Sequence, residues 1–341
     1  MTTDKLELAV PEHGGRLRQA ARHWGIPEDQ WLDLSTGINP VSWPVPDIPA
    51  RIWQRLPEED DGLPGVIRQW CRAPDSAACL PVAGSQAAIQ ALPQLWSPCR
   101  VGIPVPGYRE HGYWWQKAGH EVVPVMLDNI DHNDEWLDSL DVLAWIHPNN
   151  PTGLTLPVEQ LLRWHQRLQA QGGTLVLDEA FVTNRCDTSL APFAGIPGLV
   201  VLRSLGKFFG LAGIRAGAVV SEASVIAALR NHLGPWAMSG PARYVTKLAL
   251  EDEAWQSQAE NSLNRDSARL HRLLAEHGLG ESTGTVLFRY VPHTAAAKIQ
   301  AMLARQGILV RLFEQPPALR FGLPGPEPEW QRLAAALTKC H

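Results

Sequence analysis

Five cysteines (Cys71, Cys79, Cys99, Cys186, Cys340) are all that the 341 residues offer, an odd number with no Cys-x-x-Cys pair. Their spacing excludes a disulfide framework and the common zinc patterns, so no metal site is expected and the thiols read as reduced groups of a cytosolic protein. No apolar run approaches the roughly 20 residues of a membrane-spanning helix. The first ten residues carry acids and lack an apolar core, so no signal peptide is expected there. A basic stripe and a long charged tail are missing too. The net charge is −5, with both signs mixed along the chain. Neither nucleic acid nor a membrane is therefore an expected partner. Internal repeats and low-complexity segments are absent.

What is present suits a large core and two subdomains. Fourteen tryptophans are scattered along the chain and read as core or interface anchors. Residues 1–11 look like a loose arm. A helix is expected over 16–24, closed by Gly25 and Pro27, then a short strand over 31–34. Residues 41–64, rich in proline and acid, read as an irregular crossing, and 65–72 as a helix. From Leu80 onward strands and helices alternate. Apolar runs over 101–105, 122–126, 142–146, 174–177, 199–202 and 216–220 read as strands, several apolar on both faces. Residues 158–171 have helical spacing. This is α/β architecture with a mostly parallel sheet. After Gly234-Pro235 come a long helix over 242–277, a strand over 285–291, a helix over 294–306, strands over 308–313 and 318–323, and a last helix from Glu327. These make a smaller α+β unit. The expected division is an arm with part of the small domain (1–40), a large α/β domain (41–235) and a small domain (236–341).

The chemistry starts at Ser204-Leu205-Gly206-Lys207-Phe208-Phe209-Gly210-Leu211-Ala212-Gly213-Ile214-Arg215. A lysine in apolar surroundings is costly to keep charged, so its amine becomes nucleophilic, as a Schiff-base lysine must be. A lone lysine in a glycine-rich loop is more often a surface residue; its companions change that. Gly84-Ser85-Gln86 opens an expected helix, where free N–H groups favour phosphate or where the pair merely caps. His147-Pro148-Asn149-Asn150-Pro151-Thr152-Gly153 is a rigid turn at a strand end, on the edge where open α/β sheets bind ligands. Asp178 ends another strand, and a buried carboxylate needs a partner: a protonated heterocycle nitrogen, or a lysine or arginine. Arg215 suits an anion because its planar fork bonds two oxygens.

In this order the stretches resemble a fold-type-I pyridoxal-phosphate (PLP) enzyme of the aspartate aminotransferase superfamily, over nearly the whole chain. Asn-Pro-Thr-Gly, Asp-Glu-Ala and Ser-x-x-Lys-x-x-Gly-x-x-Gly-x-Arg are specific together. The resemblance implies a large, mostly parallel sheet domain, a smaller α+β domain, PLP as cofactor and a homodimer. It implies that Lys207 holds the cofactor and that Asp178 keeps its pyridine nitrogen protonated. Asn150 would bond the phenolic oxygen. Gly84, Ser85, Gln86, Ser204 and Arg215 would hold the phosphate, and Tyr108 would stack on the ring. Arg320, in Leu319-Arg320-Phe321, would take the substrate carboxylate; on its own it could be a strand-end surface residue. Two positions depart from the family pattern. Phe181 stands where many relatives have a tyrosine, and Arg55-Leu56-Pro57 where many have Arg-Tyr-Pro.

Glu12-His13-Gly14-Gly15 with Leu32-Asp33-Leu34-Ser35-Thr36-Gly37-Ile38-Asn39-Pro40 is similar to the threonine-phosphate decarboxylase branch, cousins of the histidinol-phosphate aminotransferases. That likeness implies decarboxylation of L-threonine O-3-phosphate to (R)-1-amino-2-propanol O-2-phosphate for cobalamin biosynthesis. The alternative is an aminotransferase of the histidinol-phosphate type. A phospho-amino acid needs its own phosphate donors. Arg311, on the strand before Arg320, and His13, in a glycine hinge, are the candidates, with Asn39 among the substrate contacts.

Overall fold

The computed structural model describes residues 10–130, 133–183 and 186–339. Most of the expected arm, and Cys340, lie outside these residues. The strands are β1 (Leu32–Leu34), β2 (Ala78–Val82), β3 (Arg100–Val105), β4 (Glu121–Met126), β5 (Val142–Ile146) and β6 (Thr174–Glu179). They continue with β7 (Leu199–Ser204), β8 (Gly217–Ser221), β9 (Thr283–Thr285), β10 (Phe288–Pro292), β11 (Ile308–Glu314) and β12 (Pro317–Gly322).

Seven of them form one sheet in the order β2-β8-β7-β6-β5-β3-β4. Six run in one direction; β8 alone is reversed, antiparallel to both its neighbours, β2 and β7. Every residue of β5 and β6 is buried, as expected of central strands covered on both faces. The helix Val158–Ala170 explains its own packing: Leu161, Trp164, His165 and Leu168 recur at helical spacing and are all buried. Trp164 meets Trp145 of β5 edge-on at 5.0 Å between ring centroids.

The second sheet has the order β1-β11-β12-β10-β9. It is antiparallel except where β1, from the N-terminal segment, runs alongside β11. The helices Glu253–Glu276 and Ala296–Ala304 pack against it.

Three expectations are corrected. The single helix expected over 242–277 is two, Gly240–Glu251 and Glu253–Glu276. Asp252 breaks it: its backbone leaves the helical region and its carboxylate caps the second helix by accepting the Trp255 N–H at 3.0 Å. The strand expected over 285–291 is a tight hairpin, with Thr285 of β9 paired to Phe288 of β10. The crossing over 41–64 contains a short helix, Ala50–Gln54, and the start of Leu63–Trp70. The latter begins after Gly62 in a left-handed conformation, with Pro64 in its first turn. Six of the fourteen tryptophans are buried in the core (Trp31, Trp43, Trp115, Trp145, Trp164 and Trp330), and Trp53 and Trp236 are exposed.

Candidate active site

One edge of the large sheet gathers the motifs. The strands β5, β6 and β7 end there, and β8 begins there because it runs in reverse. The loops leaving that edge enclose a cavity of about 320 Å³. Of the candidate residues, only Asn39 and Arg311 do not line it. A second groove of about 300 Å³ lies behind Phe181, between Thr155 and Arg289, but among the described residues no lysine, histidine or carboxylate lines it.

Lys207 sits in the loop between β7 and β8. Its Nζ donates to Ser204 Oγ at 3.2 Å and lies 4.9 Å from the centre of the Phe181 ring. Burial pushes the amine down to about 8; Asp178 pulls it back, while Arg320 and Arg215 push it further down. Asp178, at the end of β6, is buried. Its Oδ2 is 2.9 Å from His111 Nε2, and its Oδ1 accepts the Ala180 N–H at 3.0 Å. Burial alone would raise this carboxyl. The hydrogen bond and charge of His111, with the charge of Lys207, outweigh it and hold the group below the ordinary carboxylate value.

His111 is a site residue that sequence reasoning missed. It follows Tyr108 by three positions, so the two rings meet edge-on at 6.2 Å. A histidine one turn beyond the aromatic of Pro106-Gly107-Tyr108 was the available signal. Glu110, between them, was missed too. Its carboxylate accepts from Gln86 Nε2 at 2.6 Å and from Trp114 Nε1 at 2.7 Å, and it lies 2.7 Å from His13 Nε2.

At one end of the cavity the backbone at Gly84 is crowded against Arg215. A Cβ on Gly84, whose φ is +78°, would stand 2.8 Å from Arg215 Nη2. One on Gly217 would stand 2.5 Å from the Ser85 nitrogen. Arg215 itself holds a left-handed backbone, φ 55°, which a non-glycine residue rarely adopts. Gln86, expected here as a phosphate contact, turns its side chain elsewhere: besides Glu110, it accepts the Tyr108 hydroxyl at 3.0 Å.

At the other end Arg320 donates to Asn150 Oδ1 at 2.5 Å and to the Ser35 carbonyl at 3.1 Å, over the face of Phe288. Its Nε is buried without a partner. Burial, then the neighbouring Arg311, pushes this guanidinium down to about 10. The turn that carries Asn150 is braced by Asn149, whose Oδ1 accepts the Thr152 hydroxyl at 2.9 Å. Arg311 is the cross-strand partner of Arg320 and donates to the Glu12 carbonyl at 2.8 Å.

Asn39 is a correction. Its Nδ2 donates to the Phe208 carbonyl and its Oδ1 accepts the Val41 N–H, both at 2.9 Å. The carboxamide ties residues 39–41 to the lysine loop and does not line the cavity.

Comparison with known proteins agrees with this geometry. Residues 72–339 match the family Aminotransferase class I and II. The chain is 48% identical to the threonine-phosphate decarboxylase of Pseudomonas aeruginosa, over 96% of this chain and 97% of that one. Its fold is similar to the crystal structure of L-threonine-O-3-phosphate decarboxylase from Porphyromonas gingivalis, with TM-score 0.74 at 22% identity, covering 90% of this chain and 98% of that one. It is also similar to histidinol-phosphate aminotransferase from Sinorhizobium meliloti in complex with pyridoxal-5'-phosphate, with TM-score 0.82 at 20% identity, covering 100% and 98%. At those identities the two structures speak to fold alone. A lysine, an acid and an asparagine turn meeting at one sheet edge, and a match that runs through most of the sequence, lead to one conclusion: the chain belongs to the aminotransferase class I and II family of fold-type-I PLP-dependent enzymes and stands with its threonine-phosphate decarboxylases.

Proposed function

We propose that the protein decarboxylates L-threonine O-3-phosphate to (R)-1-amino-2-propanol O-2-phosphate with pyridoxal phosphate as cofactor, in cobalamin biosynthesis. The observation that carries this reading is the half-buried Lys207 and the buried Asp178 facing one cavity with Arg320, whose Nε has no hydrogen-bond partner among the described residues. Full-length kinship to a threonine-phosphate decarboxylase supports the choice of substrate.

The residues fit the cofactor. A depressed amine suits its aldehyde, and a buried, ionised carboxylate suits its ring nitrogen. The glycine-84 turn against Arg215 is a cradle that any side chain would fill. When bound, pyridoxal phosphate supplies an aldehyde for amines and a protonated ring that accepts the electron pair left as CO2 departs.

The chain's own groups do the rest. Lys207 Nζ, uncharged in an appreciable fraction near neutral pH, is the nucleophile and afterwards returns a proton to Cα. Asp178 would hold the proton on the ring nitrogen, and His111 fixes the carboxylate that would do so. Asn150 would bond the phenolic oxygen. Phe181 cannot replace a tyrosine hydroxyl there; its ring lies against the Lys207 amine and keeps that side dry. Tyr108 would stack on the ring. Arg215, Gly84, Ser85, the backbone at Gln86 and Ser204 would hold the cofactor phosphate. Arg320 takes the substrate carboxylate with its planar fork. His13, which lines the cavity, supplies some of the donors for the substrate phosphate, and Arg311, outside the lining, holds the His13 segment at the Glu12 carbonyl.

A homodimer in the cytoplasm belongs to the same proposal. So does the division into a large domain over 41–235 and a small one over 236–341, joined by 1–40; the seat of β1 in the smaller sheet supports it.

The test is incubation of the holoenzyme with O-phospho-L-threonine while CO2 and amine are followed. Product without a keto acid supports the proposal; strict dependence on a keto acid overturns it in favour of transamination. O-phospho-L-serine, one methyl smaller, is expected to be disfavoured by only about 1–3 kcal/mol relative to O-phospho-L-threonine.

A further inference from the structure

Glu110 is buried beside the cavity at 6% exposure, and the chemistry above does not use it. Its carboxylate nevertheless joins the two ends of the site. Oε2 accepts from Gln86 Nε2 at 2.6 Å and from Trp114 Nε1 at 2.7 Å. Oε1 lies 2.7 Å from His13 Nε2. The far end of the Gln86 carboxamide accepts the Tyr108 hydroxyl at 3.0 Å. A buried carboxylate is costly unless it is hydrogen-bonded and paired, and His13 is the one partner here able to carry positive charge.

The contact has a geometric consequence for the imidazole. With Nε2 committed to Glu110, Nδ1 is the ring's remaining nitrogen, and the structure gives it no hydrogen-bond partner among the described residues. The ring itself lines the cavity. The segment carrying it is seated closely. The Gly15 N–H donates to Ser35 Oγ at 2.8 Å, and a Cβ on Gly14 would come 2.3 Å from the Ser35 carbonyl oxygen. Arg311 holds the same segment at the Glu12 carbonyl.

We propose that Glu110 is a positioning residue that turns His13 Nδ1 toward the substrate phosphate and, through Gln86, holds the Tyr108 hydroxyl. Seating of residues 12–15 and placement of the Tyr108 ring are thereby coupled through one buried acid. This rests on the decarboxylase reading, and it adds that substrate recognition and the cofactor wall share a support.

Glu110→Gln keeps the shape and removes the charge. On the holoenzyme, calorimetric binding of 1-amino-2-propanol O-2-phosphate should weaken about tenfold, the worth of a hydrogen bond to a charged group. Binding of 1-amino-2-propanol, which lacks the phosphate, should not change. The visible circular-dichroism band of the bound cofactor should change as Tyr108 loosens. Adding His13→Ala to Glu110→Gln should cost no further phosphate-dependent affinity. Equal loss for both amines, or multiplying effects in the double variant, would overturn the proposal. Should Glu110→Gln fail to fold, His13→Ala alone must show both the phosphate-specific loss and the altered band; the absence of either sinks the coupling. A wild-type enzyme that releases no CO2 from phosphothreonine would instead sink the decarboxylase reading, and the two failures stay distinguishable.

Discussion

Asp178 and Glu179 are consecutive acids of β6, both buried, and the pleat sends them to opposite sides of the sheet. Asp178 faces the cavity with a histidine as its only side-chain hydrogen-bond partner among the described residues. Glu179 is saturated. Its Oε2 accepts from the Ser189 hydroxyl at 2.5 Å and from Arg203 Nη1 at 2.9 Å, and its Oε1 accepts the Leu190 N–H at 2.7 Å. Arg203 in turn lies 4.5 Å over the Trp70 ring and donates to the carbonyls of Val182 and Thr183. Burial therefore does not distinguish the acid of a reaction from the acid of a framework. What differs is the partner: a titratable ring beside an open cavity on one side, a complete set of fixed donors on the other.

Mutation should separate the two most sharply. Asp178→Asn is expected to lower turnover by about 10²–10⁴-fold, the range of a proton-handling group, with little change in denaturant midpoint. Glu179→Gln should do the reverse. It leaves the Arg203 charge uncompensated and should remove about 3–5 kcal/mol of stability while the folded fraction keeps its specific activity. Measuring rates and urea melts on the same preparations decides the matter; exchanged outcomes would erase the distinction.

A smaller effect is expected from His111→Phe, which keeps a ring and loses the hydrogen bond. The Asp178 carboxyl then loses the leading cause of its depression and should titrate higher, and turnover should fall about ten- to a hundredfold. A loss as large as that of Asp178→Asn would mean that the histidine takes part in the chemistry directly.

The smallest effect is on pH. The Lys207 amine titrates at about 8, below its ordinary 10.5. Between those values the unfolded chain binds more protons than the folded one, so this group's contribution to stability improves as pH rises from about 8 to 10.5 and is least favourable below 8. Cofactor uptake by the cofactor-free chain, followed by visible absorbance, should accelerate through about pH 8 and then level off. In Asp178→Asn the midpoint should move lower, because the carboxylate that favours the charged amine is gone. A rate still climbing beyond pH 10 would contradict a desolvated amine.

Much of this was legible before the structure, for a physical reason. Asn150, Asp178, Ser204, Lys207 and Arg215 sit in turns or strand ends whose local chemistry is written in adjacent residues. The large sheet was readable because its central strands are apolar on both faces. The place of His111 one turn beyond Tyr108 was a signal, but the acid partner of His111 and two of the partners of Glu110 were not readable. These lie 67 residues away for His111, and 24 and 97 residues away for Glu110, so only the fold makes them neighbours. Asn39 misled because an asparagine in a family segment looks like a ligand contact, whereas its amide bonds the backbone at Phe208. The break at Asp252 was hidden because one residue leaving helical geometry does not disturb an apolar period.

The reversed run of β8 has one more effect. A strand parallel to β7 would have required the chain to cross the whole sheet after Ser204 and start again from the opposite rim. Running backwards, β8 lets residues 205–216 depart from and rejoin the same rim, where the Leu205 N–H closes on the Ala216 carbonyl at 3.0 Å. Ser204, Lys207 and Arg215 therefore hang from a single short bight anchored at both feet. A reactive amine fastened in that way has little freedom to wander from the hydroxyl before it or the guanidinium after it.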